Sequence, residues 1–274
     1  MATIEEALQV ERLERDMFRG EVVPTKLQRT FGGQVAGQAM VSAVRTVDPE
    51  FGVHSLHGYF LRGGNPLAPT VYLVDRVRDG RSFVTRRVVG IQDGQAIFSM
   101  SASFHKGDPG IEHQDDMPEV VPPEDVPDLA EMRVAQGDWI TDWEHWEIRR
   151  LAPEQIVRTP GTAAQQQIWF RYRHRLPDDP IAHVCGLTYV SDMSLLLTAT
   201  TIHPGVETQV ASLDHALWFL RPFRTDEWLL YDMTSPSAGF GRAFTQGRIF
   251  DRSGRMVAAV VQEGLQRLLR DSES

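Results

Sequence analysis

Cysteine is nearly absent from this chain: Cys185 is the only one in 274 residues. No intrachain disulfide can form, and a metal site built on cysteines is excluded. A lone thiol of this kind reads first as a small buried hydrophobe. Long apolar runs are missing too. None approaches the roughly 20 residues that a bilayer span requires, so stable membrane insertion is not expected. The opening MATIEEALQVERLERDMF has neither the basic leader nor the apolar core of a secretory signal, and the ending DSES carries no Ser-Lys-Leu type address. The expected compartment is the cytoplasm. Positive charge is not in excess either: the formal net charge is −9. That argues against a general nucleic-acid binder, which gains affinity by displacing phosphate counterions with Lys and Arg. It leaves room for an anionic ligand, because a local arginine cluster works inside an acidic protein. Three signatures are also lacking: a G-x-S-x-G elbow, an H-x-x-x-H or H-E-x-x-H pair, and a complete G-x-G-x-x-G. His54 and His57 therefore read as core or hinge hydrogen-bonding residues, and no metal or cofactor is expected.

What is present is unevenly spread. From Gly107 to Glu147 there are thirteen acidic residues and one basic residue, Arg133. The stretch DPGIEHQDDMPEVVPPEDVPDLAE is proline-rich and lacks periodicity, so it reads as a surface connection between two folded units. The division is an N-terminal half over 1–110, an acidic connector over 111–145 and a C-terminal half over 146–274. Similar patterns recur on either side. Tyr59-Phe60-Leu61-Arg62 aligns with Trp218-Phe219-Leu220-Arg221, and the hairpin signals Asp93-Gly94 and Ser253-Gly254 follow at comparable distances. Two copies of one supersecondary unit are expected, each relying on the other to bury a face. All six tryptophans lie at or after position 139, so the halves have diverged in packing.

Each half offers one apolar helix. FGGQVAGQAMVSAVRTV spaces Val35, Ala39 and Ser42 helically and opens on Gly32-Gly33, with small residues that let a sheet wrap closely. The second helix is expected in YVSDMSLLLTATTI, with Asp192 near its start and Ser191 or Asp192 as N-cap. IWFRYR (Ile168 to Arg173) reads as a strand, and IEEALQVERLE as a short amphipathic helix or a strand lead-in. The architecture these elements favour is a helix-wrapped sheet repeated twice.

Three polar residues in apolar surroundings could carry chemistry. Asp192 lies within YVSDMSLLL, and burying a carboxylate is costly unless it is hydrogen-bonded. A capping role explains it as simply as catalysis does, and the two are compatible. Gln262 interrupts the alternating strand pattern MVAAVVQEG; its amide both donates and accepts, which suits a held water as well as a structural bond. Ser212 opens SLDHALWF close to Asp214 and His215. A serine triad from these three is disfavoured, because neighbours on a strand splay to opposite faces.

In a set of stretches taken together, the chain resembles the acyl-CoA thioesterase II family of double hotdog enzymes. They are FGGQVAGQA (31–39), HSLHGYFLRGG (54–64), RDGRSFVTRRV (78–88), YVSDMSLL (189–196), SLDHALWFLRPFR (212–224), WLLYDMTSPSA (228–238) and GRIFDRSGRMVAAVVQEGLQR (247–267). The resemblance runs from about residue 5 to 267 apart from the acidic connector. It implies an α+β double hotdog, two helix-wrapped antiparallel sheets forming an intrachain pseudo-dimer. It also implies hydrolysis of fatty acyl-CoA to fatty acid and CoA, in lipid metabolism, by a water that an Asp, Thr and Gln set orients. Matched motif to motif, these are Asp192, Ser212 and Gln262; Ser212 departs from the usual threonine, keeping the hydroxyl but losing the rotamer-restricting methyl. Gly33 and Ser103 fall at positions roughly equivalent to Asp192 and Gln262, so one competent site per chain is expected. Gly33, Arg86, Arg87 and Arg221 are candidates for contacting the substrate. Further association into a homodimer or homotetramer is implied. A non-catalytic acyl-CoA-binding protein and a hotdog enoyl-CoA hydratase are the alternative readings.

Overall fold

A computed structural model describes residues 2–132 and 143–269. The N-terminal half contains α1 (Ile4–Ala7), β1 (Val10–Glu14), β2 (Met17–Gly20), α2 (Gly32–Val44), β3 (Gly52–Phe60), β4 (Thr70–Asp79), β5 (Phe83–Gln92) and β6 (Gln95–His105). The C-terminal half contains β7 (Trp146–Arg150), β8 (Ala164–Tyr172), α3 (Pro180–Val190), β9 (Thr208–Ser212), β10 (Asp214–Phe219), β11 (Leu229–Gly239), β12 (Arg242–Asp251) and β13 (Met256–Leu268). The opening segment is thus both things expected of it, a helical turn and then a strand.

Period-two patterning drives the sheets. In β5, Val84, Arg86 and Val88 turn inward and are buried, while Phe83 and Arg87 face out. The hairpin turns obey their residues: Asp93 and Gly94 both take positive φ, at 44° and 69°, joining β5 to β6. The two expected sheets are continuous with each other. Among the described residues, thirteen strands form one antiparallel sheet in the order β1-β2-β4-β5-β6-β3-β10-β13-β12-β11-β8-β7, with β9 added on β13. The halves meet where β3 pairs with β10, His57 opposite Ala216. Around that junction the repeat is reproduced bond for bond. Arg62 Nη1 donates to Ala96 O at 2.7 Å, and Arg221 Nη1 donates to Met256 O at 2.8 Å.

The curved sheet wraps α2 and α3, whose small residues let them lie against each other. A Cβ added to Gly33 would fall 2.0 Å from the Tyr189 carbonyl oxygen, so only glycine permits this backbone-to-backbone approach. Gly37 lies beside the Cys185 carbonyl, so the helices run antiparallel and the start of α2 meets the end of α3. Burial pushes the Cys185 thiol up to about 12, which keeps it protonated and inert.

Three expectations need correction. The second helix lies upstream of YVSDMSLLL, because Pro180 opens it and Asp179 caps it, accepting from Ile181 N at 3.0 Å. Ser191 is its C-cap and Asp192 follows the helix; Leu196–Ile202 is a 3-10 turn. Gly33 is therefore not the counterpart of Asp192; antiparallel helix packing brings the start of α2 and Asp192 together. Nor does Ser103 match Gln262. Register pairs Arg86 with Ala102 between β5 and β6, and Thr245 with Gln262 between β12 and β13, so Ala102 holds the place of Gln262. Ser103 turns to the other face and bonds His54 Nε2 at 2.9 Å.

The connector is more than a surface link. Met117, Val120, Val121 and Val126 pack on Trp169, Trp228, Leu230 and Phe250. Trp169 Nε1 donates to Val121 O at 2.9 Å, and Arg149 donates to the Pro123 and Val126 carbonyls. Its acidic residues meet arginines of the C-terminal sheet: Glu124 with Arg252, Asp115 with Arg248, Asp128 with Arg173. The Arg133 end of the acidic stretch, residues 133–142, lies outside the described residues.

Candidate active site

Asp192, Ser212 and Gln262 arrive from three separate segments: the residue after the α3 cap, the end of β9, and the middle of β13. They converge. Asp192 Oδ1 accepts from Gln262 Nε2 at 2.6 Å and from Ser212 Oγ at 3.2 Å. The short Gln262 bond holds the carboxylate in one rotamer, and the longer Ser212 bond supports it. Gln262 is 0% exposed. Its amide oxygen has no hydrogen-bond partner among the described residues, leaving a buried acceptor beside the carboxylate. Such an atom is costly to bury alone and suits a small donor such as water.

The other carboxylate oxygen faces the N-terminal half. A Cβ on Gly32 would lie 2.6 Å from Asp192 Oδ2 and 3.0 Å from the Phe60 ring. Phe31 is the N-cap of α2 and makes no side-chain capping bond, so the Gly32 and Gly33 amides have no intrahelical acceptor. The positive end of α2 thus faces the Asp192 carboxylate, while the carboxylate's own helix ends beside it with the opposite polarity. The Phe31 ring packs edge-on against Trp143 at 5.0 Å and Tyr189 at 5.2 Å, closing one side of this corner. Of the Gly32-Gly33 pair that opens this helix, the sequence offers only Gly33 as a substrate contact; the signal for Gly32 is that it follows Phe31, an aromatic that cannot cap.

Ser212, Asp214 and His215 do not form a triad. The His215 ring is buried and its Nε2 lies 2.8 Å from Ser191 Oγ. Asp214 turns away and accepts from Glu263 N at 2.6 Å. Burial drives the His215 pKa down, with the charges of Asp192 and Asp214 opposing that shift. Burial also raises Tyr231 well above its ordinary value, and the negative charge of Asp192 adds to it.

The candidate arginines lie elsewhere. Arg86 is 1% exposed, and its guanidinium donates to Thr46 Oγ1, Thr46 O, Arg78 O, Thr85 O and Asp79. Nothing of it is left to offer a phosphate. Arg221 is committed to the Met256 and His113 carbonyls, at the edge of a 720 Å³ surface cavity shared with Arg255 and His113. Arg87 is exposed and pairs with Asp75 at 2.8 Å on the outer sheet face. Gly33 alone of the four stands near Asp192, one residue along α2 from Gly32.

Two antiparallel half-sheets wrapping paired helices, with a hydrogen-bonded carboxylate between them, define the double hotdog class of thioester hydrolase. The comparisons agree. The crystal structure of an acyl-CoA thioesterase II from Mycobacterium marinum is 55% identical and superposes with a TM-score of 0.89, covering 97% of this chain and 99% of that one. Acyl-CoA thioesterase 2 of Haemophilus influenzae is 34% identical, with 95% of each chain covered. Acyl-coenzyme A thioesterase 8 of Mus musculus is 38% identical over 95% of this chain and 88% of its own. The family model for acyl-CoA thioesterase matches residues 141–265, and that for the acyl-CoA thioesterase N-terminal domain matches residues 23–105. The chain belongs to the acyl-CoA thioesterase family and is a hydrolase.

Proposed function

We propose that this enzyme hydrolyses fatty acyl-CoA to fatty acid and CoA by direct attack of one water held at Asp192, Ser212 and Gln262. The observation that carries this reading is the doubly bonded Asp192 Oδ1 beside the unpaired Gln262 Oε1. Asp192 accepts one water proton, and Gln262 Oε1 accepts a hydrogen bond from the other. Ser212 keeps the carboxylate turned. The water's lone pair then faces the thioester carbonyl carbon, and restricting its orientation removes an entropic part of the barrier. An aspartate is a weak base at neutral pH, so position compensates for low proton affinity. The Gly32 and Gly33 amides at the α2 N-terminus supply donors for the developing oxyanion. The C–S bond breaks, the proton taken up by Asp192 passes to the sulfur, and CoA leaves as the thiol, which restores the Asp192 carboxylate.

In this reading residues 146–274 carry the water-orienting groups and residues 1–110 contribute the oxyanion donors. The acyl chain lies along the helices near the β3–β10 junction. Pairing of chains as a homodimer or homotetramer in the cytoplasm belongs to the same proposal. Among the described residues, no helix is long and apolar enough to cross a membrane. The test is thiol release from saturated acyl-CoAs of increasing length, comparing the parent with Asp192→Asn. Saturated substrates cannot be hydrated, so release excludes the hydratase alternative. Turnover by the parent and a loss of about 100-fold or more in kcat for the variant, with KM little changed, is expected. Equal turnover would remove Asp192 from the role.

A further inference from the structure

Asp192 follows a helix end, and helix ends fray unless their last carbonyls are satisfied. Here four carbonyls at the helix end are satisfied. Ser191 N donates to Leu187 O at 2.9 Å and Met193 N to Val190 O at 3.0 Å. Ser191 Oγ donates to Thr188 O at 3.2 Å. Tyr231 Oη donates to Ser191 O at 3.0 Å, and that carbonyl belongs to the peptide carrying the Asp192 nitrogen. The remaining tie is His215 to Ser191 Oγ at 2.8 Å. Because the serine proton goes to Thr188, the bond requires hydrogen on His215 Nε2. The ring is fully buried and its Nδ1 has no partner among the described residues, which fits a neutral imidazole with a bare Nδ1. Register carried one step beyond Ala216–Val261 also puts His215 next to Gln262. In the N-terminal half the corresponding neighbour of Ala102 is Leu56, equally buried and with nothing to donate.

We propose that His215 is a positioning residue for hydrolysis: through Ser191 it fixes the segment that aims the Asp192 carboxylate, while touching neither substrate nor water. This rests on the reading of Asp192 as proton acceptor. A purely structural histidine would alter stability and leave turnover per folded molecule alone. His215 instead sets the angle of the carboxylate, and a misplacement of about 1 Å at a reacting group lowers rate by about 100-fold.

The experiment is steady-state kinetics with saturated acyl-CoA on His215→Leu, His215→Gln and Ser191→Ala, each also in an Asp192→Asn background, with melting curves to confirm folding. Leucine is the residue the sister half uses at this place. For folded His215→Leu, kcat should fall about 10- to 100-fold with KM within about twofold. His215→Gln, which restores a donor, should recover most of the loss. In the Asp192→Asn background, His215→Leu should cost nothing more, because its effect passes through the carboxylate. If His215→Leu does not fold, Ser191→Ala removes the same bond from the other side and carries the same expectations. Parental kcat in a folded variant, or a loss that adds in full to that of Asp192→Asn, would overturn the proposal. Full turnover by Asp192→Asn alone defeats the site reading instead, whatever His215 does.

Discussion

The N-terminal half sets Leu56, Ala102 and Arg86 side by side on β3, β6 and β5, while the C-terminal half sets His215, Gln262 and Thr245 on the equivalent strands. Past the end of α2, Thr46 accepts from Arg86 Nε at 2.9 Å; past the end of α3, Asp192 accepts from Gln262 at 2.6 Å. One row is filled by a long guanidinium whose hydrogen bonds are all internal. The other leaves an amide oxygen with no partner among the described residues against a carboxylate. The same scaffold can therefore close a corner or leave it poised, and the choice lies in three inward positions. Still, the closed half is not idle, because the start of its helix supplies the positive end that faces Asp192.

Copying the closed half into the open one is the strongest test of this contrast. Gln262→Ala installs the residue found at position 102 and should lower kcat by about 100-fold, read by thiol release. Its melting temperature should fall as well, because the 2.6 Å bond to the Asp192 carboxylate is lost from a fully buried position, so kcat is read per folded molecule. Arg86→Ala goes the other way. It strips five acceptors of their donor inside the N-terminal half and should cost about 3 kcal/mol in urea unfolding. The KM for acyl-CoA should stay at the parent value, separating an internal lock from a phosphate contact. Ser212→Ala removes one hydrogen bond to a charged group, about 1.5–3 kcal/mol at most; kcat should drop about tenfold, and Ser212→Thr should keep activity. The smallest effect concerns pH. Burial lowers the pKa of His54, His183 and His215, so the unfolded chain takes up more protons in acid. Stability is therefore lost as pH falls below about 6.5. The decline in melting temperature from pH 7 to pH 5 should be shallower in His215→Leu.

The repeat was legible because it lives in local signals. The aligned arginines Arg62 and Arg221, the Asp93-Gly94 and Ser253-Gly254 turns, and alternating strands each leave a mark within a few residues. The convergence of Asp192, Ser212 and Gln262 came from matched motifs, since no spacing reveals a meeting among a helix end and two strands. Helix placement was misread because YVSDMSLLLTATTI is apolar enough to pass for the buried helix. The actual start, Asp179-Pro180, sits in the polar run RLPDDP, where a loop is the natural reading. Arg86 was misread for a related reason. TRRV looks like an exposed strand face, but its first arginine points inward, and only Thr46 and Asp79 arriving from elsewhere make that tolerable. Gly32 reads locally only as a helix opener, because its importance belongs to the opposite half's carboxylate, which local sequence does not show.

Direct attack by an aimed water is tested most plainly in ¹⁸O-enriched water. The protein is held in excess over a saturated acyl-CoA for a single turnover, and both product and protein are then weighed by mass spectrometry. The expected result is one heavy oxygen in the released fatty acid, none in the peptide containing Asp192, and no acylated protein at any time. Heavy oxygen in that peptide, or an acyl group on the chain during turnover, would contradict it.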